Sequence, residues 1–233
     1  MNLVEVEGLV VTYGSVIALD GVSLSVASGE MVALVGANGA GKSTLLRALS
    51  GVARKSKGRV HIQGNLAHVP EGRQLFPDLT VEDNLRLGAF RSGDRDTSWV
   101  YELLPDLERT RRQRAGTLSG GQQQMVAMGR GLMSRPDVLA IDEMSLGLAP
   151  IIVRQLARIL TALNRQQGLA VLLVEQSAQL AFSLCTRGYV IETGGIVAEG
   201  TTLDLAQSPL VKDAYLGSAA KDAYLGGAWE AAL

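Results

Sequence analysis

The sequence holds one cysteine, Cys185, which excludes an internal disulfide and any cysteine-rich metal site. It has no charge of one sign to spare: 22 basic against 23 acidic residues, net −1, leave no electrostatic footprint for DNA or RNA. It also lacks a long apolar run. Met31–Val35 and Ala170–Val174 are far too short to cross a bilayer. The first residues alternate in a strand-like way through Leu3, Val4 and Val6, so no leader peptide is expected. These absences point to a soluble chain in a reducing compartment, with any membrane role supplied by a partner.

What is present is a large apolar fraction, 47% of 233 residues, enough for one sizeable domain or a core with a built-in subdomain. Short β-branched runs bounded by glycine recur at Met31–Val35, Arg59–Ile62, Leu66–Val69, Val138–Ile141 and Ala170–Val174, and read as strands. Helical patterns lie between them. Ser43–Leu49 follows a glycine-rich turn, while Thr80–Phe90 and Ser119–Met133 open with Thr80/Asp83 and Ser119/Gln122 at capping-box spacing. Pro150 suits the first turn of a helix running to about Gln166. Helices alternating with wholly apolar strands predict an α/β fold with a buried, largely parallel sheet. The first ~30 residues and Arg187–Glu199, turning at Gly194-Gly195, read as antiparallel strands. From about Leu75 to Arg135 strand signal is almost absent, which predicts a helical insertion. The tail carries an exact repeat, KDAYLG, at Lys212–Gly217 and Lys221–Gly226; two short copies read as a local duplication and make no solenoid.

Three strings carry chemistry. Gly36-Ala37-Asn38-Gly39-Ala40-Gly41-Lys42-Ser43, followed by Thr44, fits G-x-x-x-x-G-K-[ST] between a strand and a helix. Glycines let consecutive N–H groups face a polyphosphate, and the helix presents its positive end. Lys42 is expected to reach the β and γ phosphates, and the Ser43 hydroxyl to ligate Mg²⁺. The apolar strand Val138–Ile141 ends in Asp142 and Glu143, which puts two carboxylates at the ligand-binding edge of an α/β sheet. Asp142 is expected to hold Mg²⁺ and Glu143 to orient or deprotonate the attacking water. Ser119-Gly120-Gly121-Gln122 begins a helix whose free amides and dipole face a second anion.

This last string strongly resembles the signature sequence of ABC ATPases, and the three motifs together resemble an ABC transporter's ATP-binding subunit. The resemblance implies a phosphate-loop NTPase core with a mixed, largely parallel sheet, an N-terminal antiparallel β layer and an inserted helical subdomain. The core would run over about 1–74 and 136–217, the helical subdomain over 75–135 and the tail over 218–233. It further implies ATP and Mg²⁺ as ligands, ATP hydrolysis, and a head-to-tail dimer in which Ser119–Gln122 of one subunit meets the γ-phosphate held by the other. Tyr13 falls where an aromatic stacks on adenine in that family, and Ser145–Leu148 falls on the segment that crosses the dimer interface.

The strings VPEGR (Val69–Arg73), DEMSLGLAP (Asp142–Pro150), VLLVEQ (Val171–Gln176) and the AYLG ending are similar to the second ATP-binding subunit of branched-chain amino acid importers. That branch implies a related second ATPase subunit as dimer partner, two membrane permeases, a periplasmic solute-binding protein acting indirectly, and a peripheral place on the cytoplasmic face of the inner membrane. Import of urea or another small polar solute, a soluble ABC ATPase outside transport, and a nucleotide-binding regulatory module without turnover are the alternatives. Against the family pattern, Gln176 stands for the switch histidine and Glu71 for the loop glutamine, where it brings a carboxylate near the metal; Met144 stands for the usual proline. Between Gly64 and Val69 the chain is about fifteen to twenty residues short, a loss that bears on the antiparallel layer. His61 and His68 read as surface-facing strand residues, and Arg109, Arg111, Arg112 and Arg114 as a solvated linker. Met125, Met128 and Met133 read as core packing or as part of a permease groove.

Overall fold

Alternating apolar and polar positions make the first 27 residues into two long strands, β1 (Asn2–Tyr13) and β2 (Val16–Ala27), paired antiparallel about Gly14, whose φ of 60° suits the turn. With β4 (Lys57–Ile62) they form one sheet in the order β2-β1-β4. In a computed structural model, which describes residues 1–90, 92–209 and 211, the second sheet has six strands in the order β5-β6-β7-β3-β8-β9. These are β3 (Met31–Val35), β5 (Leu66–Val69), β6 (Val138–Asp142), β7 (Ala170–Glu175), β8 (Arg187–Glu192) and β9 (Gly195–Thr201). Every neighbouring pair is parallel except β8 and β9. The mixed, largely parallel sheet and the antiparallel layer agree with the predicted fold class.

The central strands β3, β6 and β7 are buried at every residue, which is why they read as continuous apolar runs. Helices α1 (Lys42–Leu49), α6 (Pro150–Gln167), α7 (Ala178–Leu184) and α8 (Thr202–Gln207) connect these strands or follow them. Between β5 and β6 the chain forms α2 (Val81–Gly88), α3 (Ser98–Leu103), α4 (Pro105–Glu108) and α5 (Gly120–Leu132), with one isolated bridge, Thr80 to Arg114, among the described residues. Met125, Met128 and Met133 are each 1% exposed and pack in the core of these helices.

The antiparallel layer has three strands among the described residues, and β4 passes to β5 through Gln63, Gly64 and Asn65 alone. The link is stitched at each residue. Gln63 N–H donates to Leu3 O (2.8 Å), Gly64 turns with φ 87°, and Asn65 N–H donates to an Asp137 carboxylate oxygen (2.7 Å). Asn65 also donates from Nδ2 to Ser134 O (2.6 Å) and accepts at its carbonyl from the amides of Asp137 and Val138. The reading of His68 as surface-facing is wrong. His61 is exposed, but the His68 ring is half-buried with Nε2 unpartnered, and burial beside Arg47 of α1 pushes it down to about 4. The repeat at Lys212–Gly217 and Lys221–Gly226, the AYLG ending and the tail at 218–233 lie outside the described residues.

Candidate active site

Strand β3 lies between β7 and β8, so the loop that leaves it at Gly36 opens at the C-terminal edge of the sheet. Glycine is required there by space. A Cβ on Gly36 would lie 2.5 Å from Ile191 O. Gly41, at φ 107°, starts α1, and a Cβ on it would sit 2.8 Å from Leu19 Cδ2. No side chain caps α1 and no acid occupies its first turn, so its amides keep their capacity for an anion. The β8–β9 turn braces the loop from behind, with Gly194 N–H donating to Ala40 O at 3.0 Å.

Lys42 is 4% exposed and fully engaged. Its Nζ donates to Gly36 O (2.8 Å) and Ala37 O (3.1 Å) and stands 3.2 Å from Glu143 Oε1. Glu143 holds a left-handed conformation, φ 50°, rare for a residue with a side chain. Its N–H donates to Val174 O at 2.9 Å. Asp142, 3% exposed, ends β6 and accepts a hydrogen bond from the Ser43 side chain. Burial, then the nearby charges of Glu143 and Glu71, raise its carboxyl above the usual carboxylate range, and its Oδ1 is buried without a partner. An unmet carboxylate oxygen beside a hydroxyl, amid excess negative charge, fits a hard divalent cation such as Mg²⁺.

An open cleft of about 520 Å³ collects much of the predicted site: Asn38, Gly39, Gly41, Lys42, Ser43, Thr44, Glu71 and Glu143 line it. Val16, Ile17, Thr193 and Gly194 line it too, and sequence reasoning missed all four. Tyr13 is half-exposed at the mouth of the β1–β2 hairpin, opposite Val16, and does not line the cleft. Gln176 follows β7 and is exposed, outside the lining. Glu175, one residue earlier, is 2% exposed and was also missed. Its carboxylate accepts from Ser145 N–H (3.1 Å) and Ser145 Oγ–H (2.9 Å), and burial pushes it up to about 7.

The signature segment lies elsewhere. Ser119, Gly120, Gly121 and Gln122 are not among the cleft's lining residues. Ser119 and Gln122 form a reciprocal capping box at the start of α5, with Gln122 Oε1 accepting from Ser119 N–H at 3.0 Å. The loop that carries Glu71 is fastened to the same helix. Arg73 donates to Gln123 (3.1 Å), and Arg130 donates to the carbonyls of Gln74 (2.7 Å) and Arg73 (3.1 Å).

A buried lysine in a glycine loop, two carboxylates at the end of the adjacent strand, and a second capped helix start define an ATP-binding cassette. The chain belongs to the ABC transporter family, whose model matches residues 19–145, and is an ATP-binding, ATP-hydrolysing subunit of that family. It is 47% identical over 223 residues to BraG, a high-affinity branched-chain amino acid transport ATP-binding protein of Pseudomonas aeruginosa, covering 88% of this chain and 95% of that one. It is 30% identical to a probable branched-chain amino acid transport ATP-binding protein, LivF, of Archaeoglobus fulgidus, over 80% of this chain and 86% of that one. Among solved structures it resembles the ADP conformation of MJ1267, an ATP-binding cassette of an ABC transporter, with TM-score 0.81 and 26% identity over 94% of this chain and 100% of the other.

Proposed function

We propose that this subunit powers the import of branched-chain amino acids by closing, with a second ATP-binding subunit, on two molecules of MgATP. The observation that carries the catalytic part is the cluster of Lys42, Asp142 and Glu143 at the sheet edge, with Lys42 bound to Glu143 and Asp142 Oδ1 unmet. Gly36–Thr44 wraps the polyphosphate, and Lys42 exchanges its bond to Glu143 for phosphate oxygens. Ser43 and Asp142 would hold Mg²⁺, with Glu71 alongside, and the ion would supply positive charge against the phosphates. Glu143, once released by Lys42, orients and deprotonates the attacking water, while Gln176 donates a hydrogen bond to the γ-phosphate without carrying charge. Tyr13 lies beside the cleft as a platform for the base.

Ser119–Gln122 lines no part of its own chain's cleft, which supports a composite site: the helix start of one subunit completes the nucleotide site of the other. The partner is a related ATPase subunit or a second copy, and the pair works on two membrane permeases fed by a periplasmic binding protein. Among the described residues no helix is long and apolar enough to span a membrane, in keeping with a peripheral subunit on the cytoplasmic face. The solute follows from the names of BraG and LivF. In cells that depend on this chain, Lys42→Ala should abolish uptake of labelled leucine, isoleucine and valine and leave urea uptake unchanged. Intact amino-acid uptake, or loss of urea uptake alone, overturns the solute assignment.

A further inference from the structure

Of the buried charged residues Lys42, Asp142 and Glu175, the first two have a task in nucleotide chemistry and Glu175 has none. Its position is costly, because a carboxylate with little access to water sits near the charge of Glu143. The fold nevertheless meets both its oxygens: Ser145 N–H donates to Oε1 and Ser145 Oγ–H to Oε2. The backbone around it is equally committed. The Glu175 carbonyl accepts from Gly36 N–H (3.4 Å), the first glycine of the phosphate loop, and the Val174 carbonyl accepts from Glu143 N–H (2.9 Å). Gln176 is the next residue.

Glu143 lies between these attachments in a left-handed backbone conformation that persists only where the surroundings enforce it. One hydrogen bond pins its own amide, its carbonyl accepts from Leu146 N–H (3.3 Å), and Met144 is buried after it; Ser145 is the next residue whose side chain and amide are both held by Glu175. We propose that Glu175 is a positioning residue which, by gripping Ser145 through both donors, keeps Glu143 in its strained conformation at the sheet edge and ties the Ser145–Leu148 loop to the strand end that carries Gln176. The proposal rests on the ATPase reading. It assigns Glu175 no contact with nucleotide, so nucleotide affinity is not its concern.

The test uses the full chain and MgATP, with turnover, KM, nucleotide affinity and melting temperature measured for Glu175→Ala, Glu175→Gln, Ser145→Ala and the Glu175→Ala/Ser145→Ala pair. A misplaced catalytic group costs up to about 100-fold, so Glu175→Ala should lower kcat by about 10- to 100-fold with KM and affinity within about two-fold. Ser145→Ala should lose less, and the double variant should be no worse than Glu175→Ala alone. Glu175→Gln, which keeps one acceptor, should recover part of the loss; if the alanine variant does not fold, its split between kcat and KM decides. Unchanged kcat with a lowered melting temperature overturns the proposal, as does a double variant whose losses multiply. Glu143→Gln is the control. If it turns over like wild type, the catalytic reading fails and the proposal with it; if it is dead while the Glu175 variants are normal, the proposal alone fails.

Discussion

Gly36 tolerates no side chain because Ile191 O occupies the place of its Cβ. Gly36→Ala must therefore shift either the loop or β8, and we expect at least a ten-fold loss of MgATP affinity in a nucleotide titration, with a stability cost of about 1–3 kcal/mol. His68 offers a test of pH dependence. Its folded value, about 4, lies below the unfolded 6.5, so the unfolded chain takes up the proton first. The ring's contribution to stability is whole above pH 6.5 and is lost as pH falls toward 4. The held-back proton is worth roughly 1–2 kcal/mol for a half-buried ring. Glu175 acts with the opposite sign between its ordinary 4.5 and about 7, so a raw profile mixes the two. His68→Leu, which removes no hydrogen bond from Nε2, should shrink the drop in melting temperature between pH 8 and pH 5 by about 2–6 °C relative to wild type; an unchanged drop would contradict the assignment. At this scale the sequence was legible where chemistry needs contiguous residues, as in Gly36–Ser43 and Asp142-Glu143. It misplaced His68, because four alternating residues do not say that α1 covers one face. Glu175 fell just past the strand read at Ala170–Val174, and Val16 and Ile17 within the antiparallel strands, because what they touch or line is assembled from distant segments.

Elements were more legible than single side chains, since helix and strand periods and caps are local. The Thr80 and Ser119 caps fall where their spacing predicts, and Gly194 turns the β8–β9 hairpin. What the sequence did not tell is how elements are tied to one another. Arg130 reaches across fifty-six residues to hold the Gln74 carbonyl, next to Arg73 and both in left-handed conformations. Removing it by Arg130→Ala should free the loop that carries Glu71, raising proteolytic cleavage near residues 72–75 while MgATP affinity stays within about two-fold. The three-residue link from β4 to β5 depends on Asp137 in the same way. Asp137→Ala withdraws an acceptor from Asn65 N–H at the surface, a loss of about 1 kcal/mol, or about 2–4 °C in melting temperature by calorimetry, with turnover unaffected.

For the whole molecule, the separation of the Lys42 cleft from the Ser119 helix start within one chain has a direct consequence. In the two-copy form, a Lys42→Ala chain and a Ser119→Arg chain should each be inactive, yet their equal mixture should regain about a quarter of wild-type turnover, because half the pairs are mixed and one site of each then keeps a sound cradle and a sound helix start. A mixture as inactive as its parts argues that the two elements never meet across the pair. The sequence carried this arrangement only through resemblance, since no pattern within one chain specifies a second copy.

Under the proposed function, the contact between Lys42 and Glu143 would make the resting subunit its own inhibitor. The ammonium would occupy the carboxylate that would otherwise deprotonate water reaching the cleft. Fuel and ignition would then be linked through one ammonium group: only a ligand rich enough in negative charge to draw it away would expose the base.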